Sequence, residues 1–206
     1  MAKNDQLIMP NSSTNLRNRV NKLTLPRTKP LMPLFEVISN AIHAINERMS
    51  KTSLLHPGKI RIKTIRFGRP EVMAELKDVE GYQIDSFEVI DNGIGLDFDN
   101  YTSFQEFDSE YKLEIGGKGI GRLVCLKAFH SINIESVYID IDGQHKKRSF
   151  EYKKTKEGFE NYKETVETKI KKTGTKAVLY KYEEEYSNDI RFEWRFKDFI
   201  CRMSGK

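Results

Sequence analysis

The chain is poor in cysteine and histidine and has no long apolar run, and each absence excludes a class of protein. Its two cysteines, Cys125 and Cys201, provide neither a disulfide framework nor a metal-binding cluster. The four histidines are scattered, so the sequence offers no zinc site and no cysteine–histidine nucleophile. No stretch approaches the roughly 20 apolar residues of a membrane-spanning helix, and no secretory segment follows the N-terminus. We therefore predict a cytoplasmic protein with no membrane partner.

The composition is that of a folded domain, but its positive charge is unevenly distributed. The 206 residues are 38% hydrophobic and 11% aromatic, which supplies enough apolar surface for a core. The net charge of +5 arises in residues 1–30 and 144–184, while the remainder of the chain is acidic. Each basic segment is either a solvated face or a surface that binds an anion, nucleic acid or protein. We interpret residues 1–30 as an N-terminal arm and residues 31–206 as one domain.

Apolar periodicity and turn residues predict a helix, a set of strands, a second helix and further strands. Pro33 suits the first turn of a helix, and the apolar stripe that follows it continues to Met49. The other predicted elements are a short helix at 16–23, strands at 59–65, 71–76, 87–90, 132–141, 146–153, 164–170 and 175–182, and helices at 122–129 and 192–203. We interpret residues 96–116 as irregular. This order predicts an α+β fold, with helices on one face of a mostly antiparallel mixed sheet.

The first candidate motif is the pair Glu36 and Asn40 on the long predicted helix. Their i, i+4 spacing places a carboxylate and an amide one turn apart on the same face. A polar group buried without a hydrogen-bond partner costs about 1–3 kcal/mol, so these groups need partners. The pair is either ordinary helix-surface polarity or the neighbour of a hydrated Mg²⁺ ion and a reacting water molecule.

The second candidate motif contains Asp91, Gly93 and Gly95 and follows a predicted strand. Its Asp-Asn-Gly start is also ordinary turn chemistry. A buried carboxylate only accepts hydrogen bonds, so it suits an amino group such as that of adenine, and a glycine lets the backbone approach a flat ring. Taken alone, the motif fits a simple turn and a base-binding loop equally well.

The third candidate motif is a glycine-rich run before the second long helix, with Gly117, Gly119 and Gly121 separated by Lys118 and Ile120. Glycines at a helix start expose successive N–H groups to phosphate oxygens, and the helix dipole favours the anion. No Lys-Ser/Thr pair follows, so the run is not a P-loop, and its spacing does not match a dinucleotide fingerprint. The Lys118 side chain is either solvated or adds positive charge near the phosphates.

In this order, the motifs resemble those of the GHKL superfamily of ATPases (gyrase, heat-shock chaperone, histidine kinase and MutL). The segment around Glu36 and Asn40 is similar to its N-box, the Asp91 motif to its adenine box, and the glycine run to its phosphate-lid box. Gly174 and Thr175 are similar to its late Gly-Thr motif. The resemblance extends from residue 34 to about residue 182. It implies a Bergerat-type two-layer α/β sandwich.

The resemblance also implies a role for each matching residue. Glu36 would be the general base that orients the attacking water, and Asn40 would coordinate Mg²⁺ through the ATP phosphates. Asp91 would bind the adenine amino group with support from Thr175. The other implied nucleotide-binding residues are Ala44, Gly93, Gly95, Gly117, Lys118, Gly119, Ile120 and Gly121. Residues 96–116 would form the ATP lid, with Lys112 as a weaker phosphate-contact candidate.

The leading functional expectation is an ATP-binding, Mg²⁺-dependent ATPase of the chaperone, MutL and MORC branch. Members of that branch are usually N-terminal modules of larger proteins, and ATP closes their lid and joins two domains through an N-terminal segment. The resemblance therefore implies an ATP-dependent homodimer in which residues 1–30 act as a strap. One departure is His43, which stands where many relatives have an aspartate.

Two other functions remain open at the level of sequence. A nucleotide-gated binding module without significant turnover would use the basic segments 1–30 and 144–184 to contact nucleic acid or protein. A histidine kinase catalytic domain would need a phosphoacceptor histidine on a preceding helix. The 35 residues before Glu36 contain no histidine, which disfavours the kinase.

Overall fold

The computed structural model describes residues 15–51, 56–66, 84–105, 121–167, 169 and 172–187. Its helices are α1 (Leu16–Lys22), α2 (Met32–Lys51), α3 (Phe98–Gln105), α4 (Gly121–Ala128) and α5 (Glu184–Ser187). Its strands are β1 (Ile60–Arg66), β2 (Ile84–Asp91), β3 (Phe129–Ile139), β4 (His145–Lys153), β5 (Phe159–Val166) and β6 (Gly174–Tyr182). The strand predicted at 71–76 and the helix predicted at 192–203 lie outside the described residues.

The six described strands form one sheet in the order β1-β2-β6-β3-β4-β5. Each pair of neighbours in that order is antiparallel. The predicted α+β class and antiparallel character of the sheet are therefore confirmed, while the parallel pairing implied by a mixed sheet is not seen among these strands. Strand β6, the last of the described strands in the sequence, lies at the centre between β2 and β3.

One face of the sheet packs against α2 and α4 to form the core. The register aligns Phe87 of β2 with Leu179 of β6, and Leu179 with Ile132 of β3. These three side chains are buried and meet buried residues such as Leu34 of α2 and Leu126 of α4. Two layers of secondary structure thus enclose a continuous apolar interior, which is the arrangement that an amphipathic helix and a one-sided apolar sheet require.

The opposite face of the sheet carries lysines and glutamates that pair across neighbouring strands. Lys147 contacts Glu135 at 2.7 Å, and Lys176 contacts Glu88 at 3.1 Å. Three further basic residues of the segment 144–184 also have acidic partners: Lys146 with Asp140, Lys153 with Glu151 and Glu160, and Lys154 with Glu183. Much of the positive charge of this segment is therefore neutralised within the fold.

The described part of the predicted N-terminal arm is packed into the same core. Leu16 and Val20 on α1 are almost completely buried, as is Leu25 in the segment that follows. Tyr182 of β6 donates a hydrogen bond to the carbonyl of Pro30, and Tyr186 of α5 donates one to the carbonyl of Leu25. Residues 15–30 thus belong structurally to the domain, and a free arm is left as a prediction only for residues 1–14, outside the described residues.

Helix α3 lies in the segment that we predicted to be irregular, so that prediction was wrong for residues 98–105. The Asp97 side chain accepts a hydrogen bond from the backbone N–H of Asn100 at 2.9 Å, which caps the start of the helix. Tyr101 and Phe104 lie one turn apart and pack edge-on against aromatic rings of β4 and β5. The first part of the predicted lid is therefore fixed to the sheet, and its remainder, 106–116, lies outside the described residues.

None of the helices in the described residues is both long and apolar enough to cross a membrane.

Candidate functional site

The long helix α2 places three predicted site residues along one side. Glu36 and Ala44 are half-buried, and Asn40 between them is exposed. A Cβ atom added to Gly121, the first residue of α4, would lie 2.5 Å from Oε2 of Glu36. A larger residue at position 121 would require the Glu36 carboxylate to move away from the start of α4. The structure thus brings the end of the glycine run to the first motif.

Asp91 ends β2 and is held by two backbone donors from different parts of the chain. Its Oδ1 accepts hydrogen bonds from the N–H of Gly93 at 2.7 Å and from the N–H of Thr175 at 3.3 Å. No hydrogen bond reaches Oδ2 from the residues that the structure describes. Thr175 thus contacts Asp91 through its backbone N–H and not through its hydroxyl, and one carboxylate oxygen remains available to a donor.

The partly buried position of Asp91 raises the pKa of its carboxyl group. Burial raises the pKa of Asp91 from 3.8 to about 6, while the hydrogen bonds from Gly93 and Thr175 act in the opposite direction. At pH 7 the side chain is mostly ionised and accepts hydrogen bonds only. A partly buried carboxylate of this kind is suited to a ligand that carries N–H donors.

The loop after Asp91 packs against α2. A Cβ atom added to Gly93 would lie 2.6 Å from Cβ of Ala44, and Ile94 donates its N–H to the Ala44 carbonyl at 3.0 Å. Gly93 is therefore needed for the close approach of the loop to the helix. Asn92 has a structural role, since its side chain bonds the backbone of Pro57 and Lys59 before β1.

Gly95 is the position in the loop after Asp91 where the backbone conformation requires glycine. Its φ is +85°, which side chains rarely adopt, and an added Cβ would collide with the carbonyl oxygen of Val137. The next residue, Leu96, donates its N–H to Oγ of Ser136 at 2.8 Å. The loop is thereby anchored to β3 as well as to α2.

Two hydroxyl residues also contact the loop after Asp91, and the sequence motifs did not predict them. Ser136 Oγ lies 3.0 Å from Thr175 Oγ1, and Thr173 donates its hydroxyl to the Gly93 carbonyl at 2.7 Å. The signal for Ser136 in the sequence is a polar residue in phase with the core-facing residues Ile132 and Ile134 of the same strand. No sequence pattern distinguishes Thr173.

The remaining predicted site residues are only partly covered by the structure. Of the glycine run, Gly121 is described, while Gly117, Lys118, Gly119 and Ile120 lie outside the described residues, as does Lys112. His43 is exposed on α2. In the described ranges, no group of three or more His, Cys, Asp or Glu side chains is arranged to hold a metal ion by itself.

Four segments that are far apart in the sequence meet at one end of the sheet. Helix α2 contacts Gly93 at Ala44 and Gly121 at Glu36, and Asp91 binds the backbone of Thr175. This arrangement offers a carboxylate that accepts hydrogen bonds, a close-packed glycine loop, a helix start and a second carboxylate.

A comparison of the chain with protein-family models finds no match, and a comparison with curated proteins finds none either.

Proposed function

We propose that this domain binds ATP and hydrolyses it with Mg²⁺, in a GHKL-type site on a Bergerat-type two-layer fold. One observation carries the proposal: the four candidate motifs converge in space. Gly93 packs on Ala44, Gly121 packs on Glu36, and Thr175 donates to Asp91. Residues that were singled out for base, phosphate and metal chemistry thus border one region.

The base-binding part of the proposal rests on Asp91 and the loop after it. The open Oδ2 of Asp91 can accept the hydrogen bond of an exocyclic amino group, as in adenine. Gly95 gives the loop beside Asp91 its positive-φ conformation, and its missing Cβ lets this loop pack on the Val137 carbonyl of β3. A base without an amino group at that place would leave the carboxylate unpaired, which gives the site a preference for adenine.

The phosphate-binding part rests on the start of α4 and on the two polar residues of α2. The first N–H groups of a helix attract phosphate oxygens, and Gly121 opens α4 directly beside Glu36. The amide oxygen of Asn40 and phosphate oxygens are ligands that Mg²⁺ prefers, and the bound ion would neutralise charge that develops on the phosphates. The Glu36 carboxylate would accept a proton from the attacking water at its Oε2.

ATP binding and phosphate release by the purified chain test this function, with Glu36→Gln as the key variant. Glutamine keeps the size of the side chain but cannot take a proton, so ATP should bind with unchanged affinity. Hydrolysis should fall by about 10²–10⁴-fold, the usual contribution of a general base. The matched control is Glu47→Gln, about three turns further along α2, where the carboxylate contacts Lys51 and Asn100 instead.

The outcomes separate the parts of the proposal. A wild-type chain that binds no ATP would contradict it altogether. Normal hydrolysis by Glu36→Gln would show that another group activates the water.

A nucleotide-gated binding module is the second candidate, and the exposed Asn40 favours it, because no described residue orients this side chain by a hydrogen bond. Tight binding without phosphate release in the wild type would support that module.

The ion pairs of the sheet bear on the proposed nucleic-acid partner of segment 144–184. Lysines and arginines bind a nucleic-acid backbone by neutralising its phosphates and releasing the counterions of those phosphates. Lys147, Lys153 and Lys176 already contact glutamates within the sheet. These three lysines are therefore less available to a nucleic-acid phosphate than solvated lysines would be.

A further inference from the structure

Arg148 is a buried arginine on β4 and lies in the same cross-strand row as the proposed base-binding residues. Only 5% of its surface is exposed. The register aligns Thr175 of β6 with Ser136 of β3, Ser136 with Arg148, and Arg148 with Glu164 of β5. A guanidinium group thus points to the core side of the sheet, at the end where Asp91 lies.

The guanidinium group of Arg148 binds the segment that directly follows the glycine loop. Its Nη1 donates to the carbonyl of Leu96 at 2.8 Å and to the carbonyl of Asp97 at 3.3 Å. Its Nε and Nη2 donate to Oε2 of Glu164 at 3.1 and 2.8 Å, and Nη2 also donates to the Tyr138 hydroxyl at 3.0 Å. The planar fork therefore connects the loop to both β3 and β5.

The backbone N–H and the carbonyl of Leu96 both form hydrogen bonds with side chains of the sheet. Its N–H donates to Ser136 Oγ, and that hydroxyl lies against Thr175, whose own N–H donates to Asp91. Its carbonyl accepts from Arg148. Asp91 and Arg148 are thus linked through hydrogen bonds of Thr175, Ser136 and Leu96.

We propose that Arg148 is a positioning residue for nucleotide binding: it fixes residues 94–97 in the conformation that presents Gly95 and the Asp91 carboxylate to the base. The inference rests on the proposed ATP-binding function. Arg148 acts through Leu96 and Asp97 and touches neither the base nor the phosphates. Lysine cannot replace it, because a single ammonium group cannot place donors at the loop and at Glu164 at the same time, as the planar guanidinium group does.

The test compares the affinities of wild type, Arg148→Lys and Arg148→Met for ATP and for adenosine. Both variants should bind both ligands about tenfold more weakly, by the same factor for each, because the loop serves the base and not the phosphates. KM for ATP should rise while kcat at saturation stays unchanged. Amide hydrogen exchange of Leu96 and Asp97 should become faster in both variants.

The matched control is Lys147→Met, which removes the neighbouring positive charge from the other face of β4. Lys147 pairs with Glu135 and contacts nothing in the loop, so its loss should leave both affinities unchanged. Tyr138→Phe, which removes one hydrogen bond to Arg148, replaces Arg148→Met if that variant does not fold. Wild-type affinity in folded Arg148 variants would overturn the inference and leave the proposed function intact. Absence of ATP binding in the wild type would overturn the proposed function first.

Discussion

Replacement of Asp91 by asparagine should weaken nucleotide binding and stabilise the fold at the same time. Both backbone donors, Gly93 and Thr175, are bound by Oδ1, and an amide oxygen at that position can still accept both hydrogen bonds. The amide nitrogen then takes the place of Oδ2 and meets the base amino group as a second donor. A hydrogen bond to a charged group is worth about 1.5–3 kcal/mol, so the loss of this bond and the donor–donor contact together should raise the Kd for ATP about a hundredfold.

The gain in stability follows from the raised pKa of Asp91. A shift from 3.8 to about 6 corresponds to about 3 kcal/mol at 1.36 kcal/mol per unit, and partial solvation of the half-buried side chain reduces the usable part to about 1 kcal/mol. The folded state binds this proton more tightly than the unfolded state. The stabilisation from protonated Asp91 is therefore fully present below about pH 4 and is lost as the pH rises through about 6.

Thermal unfolding and ATP titration of Asp91→Asn measure the two effects. The variant should unfold about 2–4 °C higher than wild type at about pH 7.5, and this difference should vanish near pH 4. Asp85→Asn is the matched control on the same strand, where the carboxylate accepts a hydrogen bond from Ser86, and its ATP affinity should be unchanged. Wild-type ATP affinity in Asp91→Asn would refute the proposed contact with the base, and a lower unfolding temperature would refute the assignment of both backbone bonds to Oδ1.

Two further substitutions test the close packing of the site glycines. Gly121→Ala places a methyl group 2.5 Å from the Glu36 carboxylate, so hydrolysis should fall at least about tenfold while ATP affinity changes less, as phosphate release and titration will show. Gly95→Ala should lower the free energy of unfolding by more than the roughly 1–2 kcal/mol of a positive φ, because its Cβ also meets the Val137 carbonyl. Gly143→Ala is the control for denaturant unfolding, since it has a φ of +75° and open space around its Cβ; equal losses at both positions would show that the Val137 contact is relieved without cost.

The sequence predicted best those parts of the fold in which local pattern and final structure coincide. The apolar stripe after Pro33 corresponds to α2, and the alternation around residues 146–153 corresponds to β4. Strand β5 was predicted too late in the chain, at 164–170, because it is an edge strand with a polar sequence and without an apolar face. It begins after Gly158, which has a φ of +84° and thus ends the preceding turn.

The candidate site shows a clearer limit of sequence reasoning. Glu36, Asp91 and the glycines belong to short motifs, and such motifs can be recognised one at a time. Ser136 and Arg148 belong to a row across the sheet that exists only once β3, β4 and β6 have paired in the observed register. Local patterns in the sequence do not reveal that register, because the paired strands β3 and β6 are separated by a long stretch of chain.

The packing of the N-terminal segment determines where a shortened form of this domain can begin. Leu16 fits against Gly158, whose missing side chain leaves room for it, and α1 covers part of α4. A shortened chain that began at residue 31 would retain every proposed ligand contact and yet expose the apolar side of α4 to water. Exposed apolar surface of this kind promotes aggregation. Recombinant versions intended for crystallisation or biosensor design therefore need to include residues from Asn15 onwards.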